Sequence, residues 1–163
     1  MALDQQIQIQ FPVKPKQIKG KWLPKIVIVD DDRELLEELK DALSSNYHVE
    51  TLSDSAHAFD RVYALDPDLM ILDIKMSPKS GLQLANEFKN FEKTESIPII
   101  LITGFYVQGE HPLMKLLGMK HVMFKPFNLN RLLEKIEMIL IEPNPTKLDK
   151  DDDGDGRSLK KRW

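Results

Sequence analysis

Four apolar residues followed at once by a carboxylate, Leu69-Met70-Ile71-Leu72-Asp73, constrain this chain more than any other stretch. A run without a polar face cannot lie against water on either side, so it reads as a strand buried on both faces of a parallel sheet. Asp73 is the first residue able to leave the sheet, at the strand end where open α/β folds put their ligands. Two more runs end the same way: Ile26-Val27-Ile28-Val29 meets Asp30, Asp31 and Asp32, and Ile99-Ile100-Leu101-Ile102 meets Thr103. A shorter one, Val122-Met123-Phe124, meets Lys125. Four strands should therefore deliver carboxylates, a hydroxyl and an ammonium to one sheet edge.

Helical patterns lie between these runs. Asp31 or Asp32 can cap a helix with Leu35, Leu36, Leu39 and Leu43 on one face. Tyr47 to Leu52 is half polar and reads as an edge strand. Ser53 to Ser55 offers caps for a helix with Ala56, Phe59, Val62 and Tyr63 inward, stopped by Asp66-Pro67-Asp68. Gly81 precedes a helix with Leu84, Ala85, Phe88 and Phe91 on one side, and Pro98 starts the next strand. Pro112 to Leu117 reads as a short helix ended by Gly118. Asn128 caps a last helix whose stripe is Leu129, Leu132, Leu133, Ile136 and Leu140. Strict β/α alternation implies a three-layer α/β/α fold, a five-stranded parallel sheet with right-handed crossovers and helices on both faces.

This core spans 25–141. Residues 1–24 read as a basic, Pro-containing extension, expected to be mobile, although Gln6 to Phe11 alternates with period two and could add to a sheet edge. Residues 142–163 read as a charged tail, expected to be disordered, whose acids and bases cancel. Its acidic block from Asp149 begins like a calcium loop but has Lys160 where the bidentate Glu belongs, so a solvated tail is the better reading. With 42% hydrophobic and 30% charged residues the chain is globular in composition, and its net charge of −3 gives no reason to expect direct nucleic-acid binding. It has no Cys, hence no disulfide or thiolate site; His48, His57, His111 and His121 lack metal-pairing spacing. The apolar runs are too short to span a bilayer and residues 1–10 lack a secretory pattern, so a cytoplasmic protein without membrane insertion is expected.

Asp30, Asp31 and Asp73 on adjacent strand ends would repel, by up to several kcal/mol at ~4 Å in a partly buried site. A hard divalent cation removes that repulsion, and Mg2+ characteristically takes a few carboxylates and keeps its remaining waters. With Lys125 and the Thr103 hydroxyl nearby, the pocket suits a phosphoryl group, and one carboxylate can act as nucleophile. Asp73, alone at the end of its strand, is the best candidate.

In these respects the core resembles the receiver domain of two-component response regulators. The resemblance rests on Val29-Asp30-Asp31, Leu72-Asp73 with Gly81 eight residues on, Ile102-Thr103-Gly104, and Gly118 followed by Lys125-Pro126-Phe127. It implies the flavodoxin-like strand order 2-1-3-4-5. It implies that Asp73 accepts a phosphoryl group from the phosphohistidine of a histidine kinase or histidine phosphotransfer protein. Asp30, Asp31, Asp73 and the Lys75 backbone carbonyl would hold Mg2+ (or Mn2+), Lys125 would bind phosphoryl oxygens, and Thr103 would follow the phosphate. The output face would comprise the helix before the last strand, that strand and the last helix. A monomer is implied, with a phosphorylation-dependent dimer through that face as the alternative. Such a protein promotes only its own phosphorylation and dephosphorylation, and is otherwise not an enzyme.

The chain departs from the family in several places. Ser77 stands between Met76 and Pro78, and Ser80 replaces the acidic residue common before the glycine. Val122 occupies the switch position where many receivers carry Tyr or Phe, and it cannot make their inward rotamer change. Lys75 and Phe105 hold positions that tune dephosphorylation, and their bulk predicts a phosphoryl group lasting hours rather than minutes. With no room for an effector after Ile141, a stand-alone receiver acting on a downstream protein is expected. The alternatives are a small phosphatase using Asp30 with Asp32 as acid/base, or a pseudo-receiver that binds partners without phosphate.

Overall fold

The computed structural model describes residues 23–104, 115 and 118–141. Its strands are β1 (Lys25–Val29), β2 (His48–Leu52), β3 (Leu69–Asp73), β4 (Ile99–Thr103) and β5 (His121–Phe124). All neighbours pair in parallel, in the order β2-β1-β3-β4-β5. The half-polar β2 is an edge strand, as its pattern requires. The helices are α1 (Arg33–Leu43), α2 (Ala58–Leu65), α3 (Gly81–Lys89), the single turn α4 (Glu92–Glu95) and α5 (Leu129–Ile141).

Strand parity sorts the core into two layers. Ile26, Ile28, Leu69, Ile71, Ile100 and Ile102 face Leu36, Leu39 and Leu43 of α1 and Leu132, Ile136 and Ile139 of α5. Val27, Val29, Met70, Leu72, Ile99 and Leu101 face Ala58 and Val62 of α2 and Leu84, Ala85 and Phe88 of α3. The runs in β1, β3 and β4 are apolar throughout because both faces are covered. Each fully buried Leu or Ile among them contributes about 2 kcal/mol over exposure.

Helix ends follow local chemistry. Asp32, rather than Asp31, caps α1 through its side chain on the Leu35 N–H, at 3.1 Å. Ser80 and Gln83 form a reciprocal capping box that starts α3 at Gly81. Asn128 accepts from the Asn130 N–H at 2.8 Å and opens α5 as expected. Gly118 has φ +62°, in the left-handed region that favours glycine. The peptide bonds Ser77–Pro78 and Lys125–Pro126 are cis.

Several expectations are corrected. The second helix starts at Ala58, not after Ser53–Ser55, because Asp54 accepts from the Ala56 N–H and engages His57, making a turn first. Ala56 is therefore exposed outside the helix, and Tyr63 is 43% exposed, its ring beside Phe59 and under the Lys93 ammonium. Phe91 lies beyond the end of α3 and is half exposed, tilted against Phe59 at 4.8 Å between ring centroids. Leu129, in the first turn of α5, is exposed, and Ile139 is buried in the stripe instead. The expected helix at 112–117 lies, apart from Lys115, outside the described residues, as do the period-two segment, most of the basic extension and the charged tail with its calcium-like block.

Candidate functional site

Parity also aims the site. Asp30 continues the alternation of Ile26 and Ile28, Asp73 that of Leu69 and Ile71, and Lys125 that of Met123, all in the layer under α1 and α5. The three side chains meet at the C-terminal sheet edge although Asp30 and Lys125 lie 95 residues apart. The Lys125 ammonium donates to Asp30 Oδ2 at 2.7 Å and pairs with Asp73 Oδ1 at 3.0 Å. Asp30 Oδ1 accepts from the Asp32 N–H at 2.9 Å, so both oxygens of this buried carboxylate are engaged.

Asp31 joins them from the solvent side. Oxygens of Asp30, Asp31 and Asp73 lie within 4.8 Å of one another, the one group of three metal-ligating side chains found among the described residues. Two buried carboxylates and one exposed carboxylate supply hard oxygen donors, with Asp31 left open to water. That donor set fits Mg2+ or Mn2+, which favour oxygen ligands; Mg2+ in particular keeps waters in its coordination shell.

Burial is the largest influence on Asp73 and raises its pKa; the hydrogen bond from Lys125 opposes this, the Asp30 charge adds to it, and the Lys75 backbone N–H works against it. An ion pair alone should lower an aspartate, so here desolvation and a like charge win. For Lys125 burial pulls the pKa down most, but the hydrogen bonds and charges of Asp30 and Asp73 together carry it above the ordinary lysine value.

The remaining expected residues sit around this centre. Thr103 is buried at the end of β4, and its carbonyl accepts from the Lys125 N–H at 2.8 Å, which sets where the lysine leaves the sheet. Lys75 is exposed and meets Asp73 through its backbone amide. Val122 is half-buried opposite Leu101, against the layer of α2 and α3. Phe105 lies outside the described residues. Asp32 belongs to the cap of α1, so its carboxylate faces the helix start rather than the pocket.

Two supports escaped the sequence reading. Gly81 is pressed against the backbone of Asp73, where a Cβ would stand 2.2 Å from the carbonyl oxygen. Ser55, read only as a cap, is buried and accepts from the Lys79 N–H at 3.0 Å, tying the β2–α2 loop to the loop after Asp73. Glycine eight residues past the aspartate was a visible signal; a lone Ser in a polar stretch was not.

The model of the response regulator receiver domain matches residues 26–137. The chain belongs to that family. It is 31% identical over 135 residues to the response regulator MprA of Mycolicibacterium vanbaalenii, covering 82% of this chain and 55% of that protein. It is 28% identical over 137 residues to the hybrid signal transduction histidine kinase D of Dictyostelium discoideum, covering 83% of this chain and 9% of that one. The receiver chain thus spans about half the length of the first relative and a small part of the second.

Among solved structures, the chemotaxis protein CheY4 of Vibrio cholerae has the same fold, with a TM-score of 0.67, 23% identity, and 72% of this chain and 99% of that one covered. The N-terminal domain of the nisin resistance regulator NsrR is 32% identical, with a TM-score of 0.65 over 73% of this chain and 99% of that one. The response regulator TrrA of Thermotoga maritima, solved with Mg2+-BeF, is 29% identical, with a TM-score of 0.63 over 71% of this chain and 98% of that one. No helix among the described residues is long and apolar enough to cross a membrane.

Proposed function

We propose that this receiver is a phosphoacceptor, taking a phosphoryl group onto Asp73 from the phosphohistidine of a histidine kinase or histidine phosphotransfer protein. The observation that carries the reading is the Lys125 ammonium held between Asp30 and Asp73 at a buried strand end, with Asp31 open to solvent beside them. An Asp73 oxygen attacks phosphorus as the P–N bond breaks, and the departing imidazole keeps the electron pair and takes a proton from water. Burial strips water from that nucleophile, and Lys125 is positioned to meet charge on the transferring oxygens. Asp30, Asp31, Asp73 and the Lys75 carbonyl would hold Mg2+ or Mn2+, whose chemistry when bound is charge neutralisation at the phosphoryl oxygens. Thr103, at the same edge, is the group to follow the phosphate, and Val122 stands where the change would pass outward.

The output we infer is a phosphorylation-dependent protein–protein contact; the net charge of −3 gives a DNA backbone no electrostatic reason to bind. The phosphatase alternative needs Asp32 as acid/base, and its carboxylate is already engaged at the start of α1. The pseudo-receiver alternative leaves the Asp30–Lys125–Asp73 cluster without a purpose.

Phosphate-affinity electrophoresis after acetyl phosphate and Mg2+ tests this, with Asp73→Asn as control. A retarded band in wild type alone, decaying over hours, is the expected result. If acetyl phosphate, a histidine kinase panel and beryllofluoride all leave wild type unchanged, the phosphoacceptor reading fails and the pseudo-receiver takes its place. Decay of the label within minutes would overturn the slow-release expectation drawn from Lys75 and Phe105.

A further inference from the structure

The loop from Ile74 to Ser80 joins the end of β3 to α3. Its neck is closed by its own backbone: the Gly81 N–H donates to the Ile74 carbonyl at 3.1 Å, and the Ile74 N–H donates to Ile102 of β4 at 2.8 Å. Near the tip Met76 is buried in the layer of α2 and α3, and the Lys75 amide turns back onto the Asp73 carboxylate. Past the tip the Lys79 ammonium pairs with Glu87 of α3 at 2.8 Å. Beside the Ile102 carbonyl, a further polar anchor from outside the loop is Ser55, whose Oγ accepts from the Lys79 N–H at 3.0 Å.

Ser55 is only 1% exposed, and a buried hydroxyl is retained at such a position when it satisfies a partner. Its own loop is closed by local hydrogen bonds. Asp54 accepts from the Ala56 N–H at 2.8 Å, and its second oxygen lies 2.8 Å from His57 Nδ1, so the turn presents Ser55 inward without further ordering. A preformed turn on one strand end therefore grips the loop that carries a backbone donor to Asp73.

We propose that Ser55 is a positioning residue for the phosphoryl and metal site, acting through Lys79 to hold the loop after Asp73. The inference rests on the proposed phosphoacceptor function in one respect, the Lys75 carbonyl as a metal ligand. The latch itself does not depend on that reading. Ser55 touches neither phosphoryl group nor metal; it fixes the backbone that does.

The test uses the full chain with Ser55→Ala and Ser55→Thr, first by amide exchange in metal-free protein followed by NMR. Ser55→Ala should speed exchange at the Lys79 amide about tenfold, the effect of losing one hydrogen bond, while Ile71 and Leu84 keep their rates. An unchanged Lys79 rate overturns the latch. Mg2+ titration by calorimetry follows: Ser55→Ala should bind about tenfold more weakly, the scale of losing a group that orients a ligand, and Ser55→Thr should return to within about twofold of wild type. Equal affinity of wild type and Ser55→Ala, with the Lys79 amide freed, overturns the positioning role. Uniformly faster exchange throughout the sheet would mean a general loss of stability, and would overturn it too. Wild type that takes up no Mg2+ overturns the metal-dependent phosphoacceptor reading and the metal part of the inference, and the exchange result still decides the latch.

Discussion

Gly81 touches the backbone of Asp73 more closely than any side chain would permit: a Cβ on it would lie 2.2 Å from the Asp73 carbonyl oxygen and 2.8 Å from its carbonyl carbon. Both partners are backbone, one at the end of a central strand and the other in the first turn of α3, so neither can move aside cheaply. Gly81→Ala should destabilise the fold by about 1–3 kcal/mol, in the range of overpacking a tight site. On the proposed phosphoacceptor role it should also displace Asp73, and a shift of about 1 Å can lower a transfer rate roughly a hundredfold. Urea midpoints and the acetyl phosphate labelling rate check the two effects. Wild-type values for both would show that the contact is slack.

The Lys125 ammonium pairs with both buried carboxylates and offsets their mutual repulsion. Lys125→Met should leave Asp30 and Asp73 facing each other and destabilise the protein by about 3–5 kcal/mol near neutral pH, the scale for an uncompensated buried charge. Burial already raises the Asp73 pKa, with Lys125 opposing. Without Lys125 the folded-state pKa rises further above the unfolded value, so the native state holds a proton that the unfolded chain releases. The variant should approach wild type as pH falls and lose ground as pH rises through that folded pKa. Urea midpoints at about pH 5 and about pH 8 give the comparison. A gap that stays constant with pH would show that lost packing, and not charge, is responsible.

Most of this architecture was legible because three strands carry unbroken apolar runs that end in a reactive group. Ile26 to Val29, Leu69 to Leu72 and Ile99 to Ile102 admit one environment, and their termination at Asp30, Asp73 and Thr103 marks the edge. Helix faces were less legible, since a stripe depends on where the helix begins. The Asp54 turn delays α2 to Ala58 and leaves Tyr63 on a face shared with solvent, where Phe59 and Lys93 cover it from the side. Phe91 fits the 3.6-residue period of α3, but the helix stops at Lys89 and the ring packs on Phe59 instead. The Ser55 to Lys79 bond joins two loops 24 residues apart, and no local pattern encodes it.

Asp66 ends α2 in the left-handed conformation, with φ 49°, and its N–H donates to the Val62 carbonyl at 3.0 Å. A non-glycine residue is disfavoured there, and a carboxylate at a helix C-terminus faces the negative end of the dipole. Asp66→Gly should therefore stabilise the protein, by about 1 kcal/mol, while leaving the distant site untouched. Thermal or urea unfolding beside the labelling assay checks both statements. A loss of stability would mean that the aspartate carboxylate makes up for its backbone.

Tyr47 lies in the layer beneath α1 and α5, and its phenol is pushed up to about 12, chiefly by burial and secondarily by the Glu137 charge. The neutral phenol is the form the folded protein favours. Between the ordinary tyrosine value of about 10 and the folded value, the unfolded chain has released its proton and the native state has not. Stability from this residue is fully present below the unfolded pKa, and it is lost as pH rises towards the folded one, on the order of 2 kcal/mol in all. Ultraviolet titration of phenolate should show a late phase absent from Tyr47→Phe. Glu137→Gln should bring that phase earlier without restoring the solution value, because burial is the larger cause. A Glu137→Gln phase at the ordinary tyrosine pKa would make the charge, and not the buried position, the dominant influence.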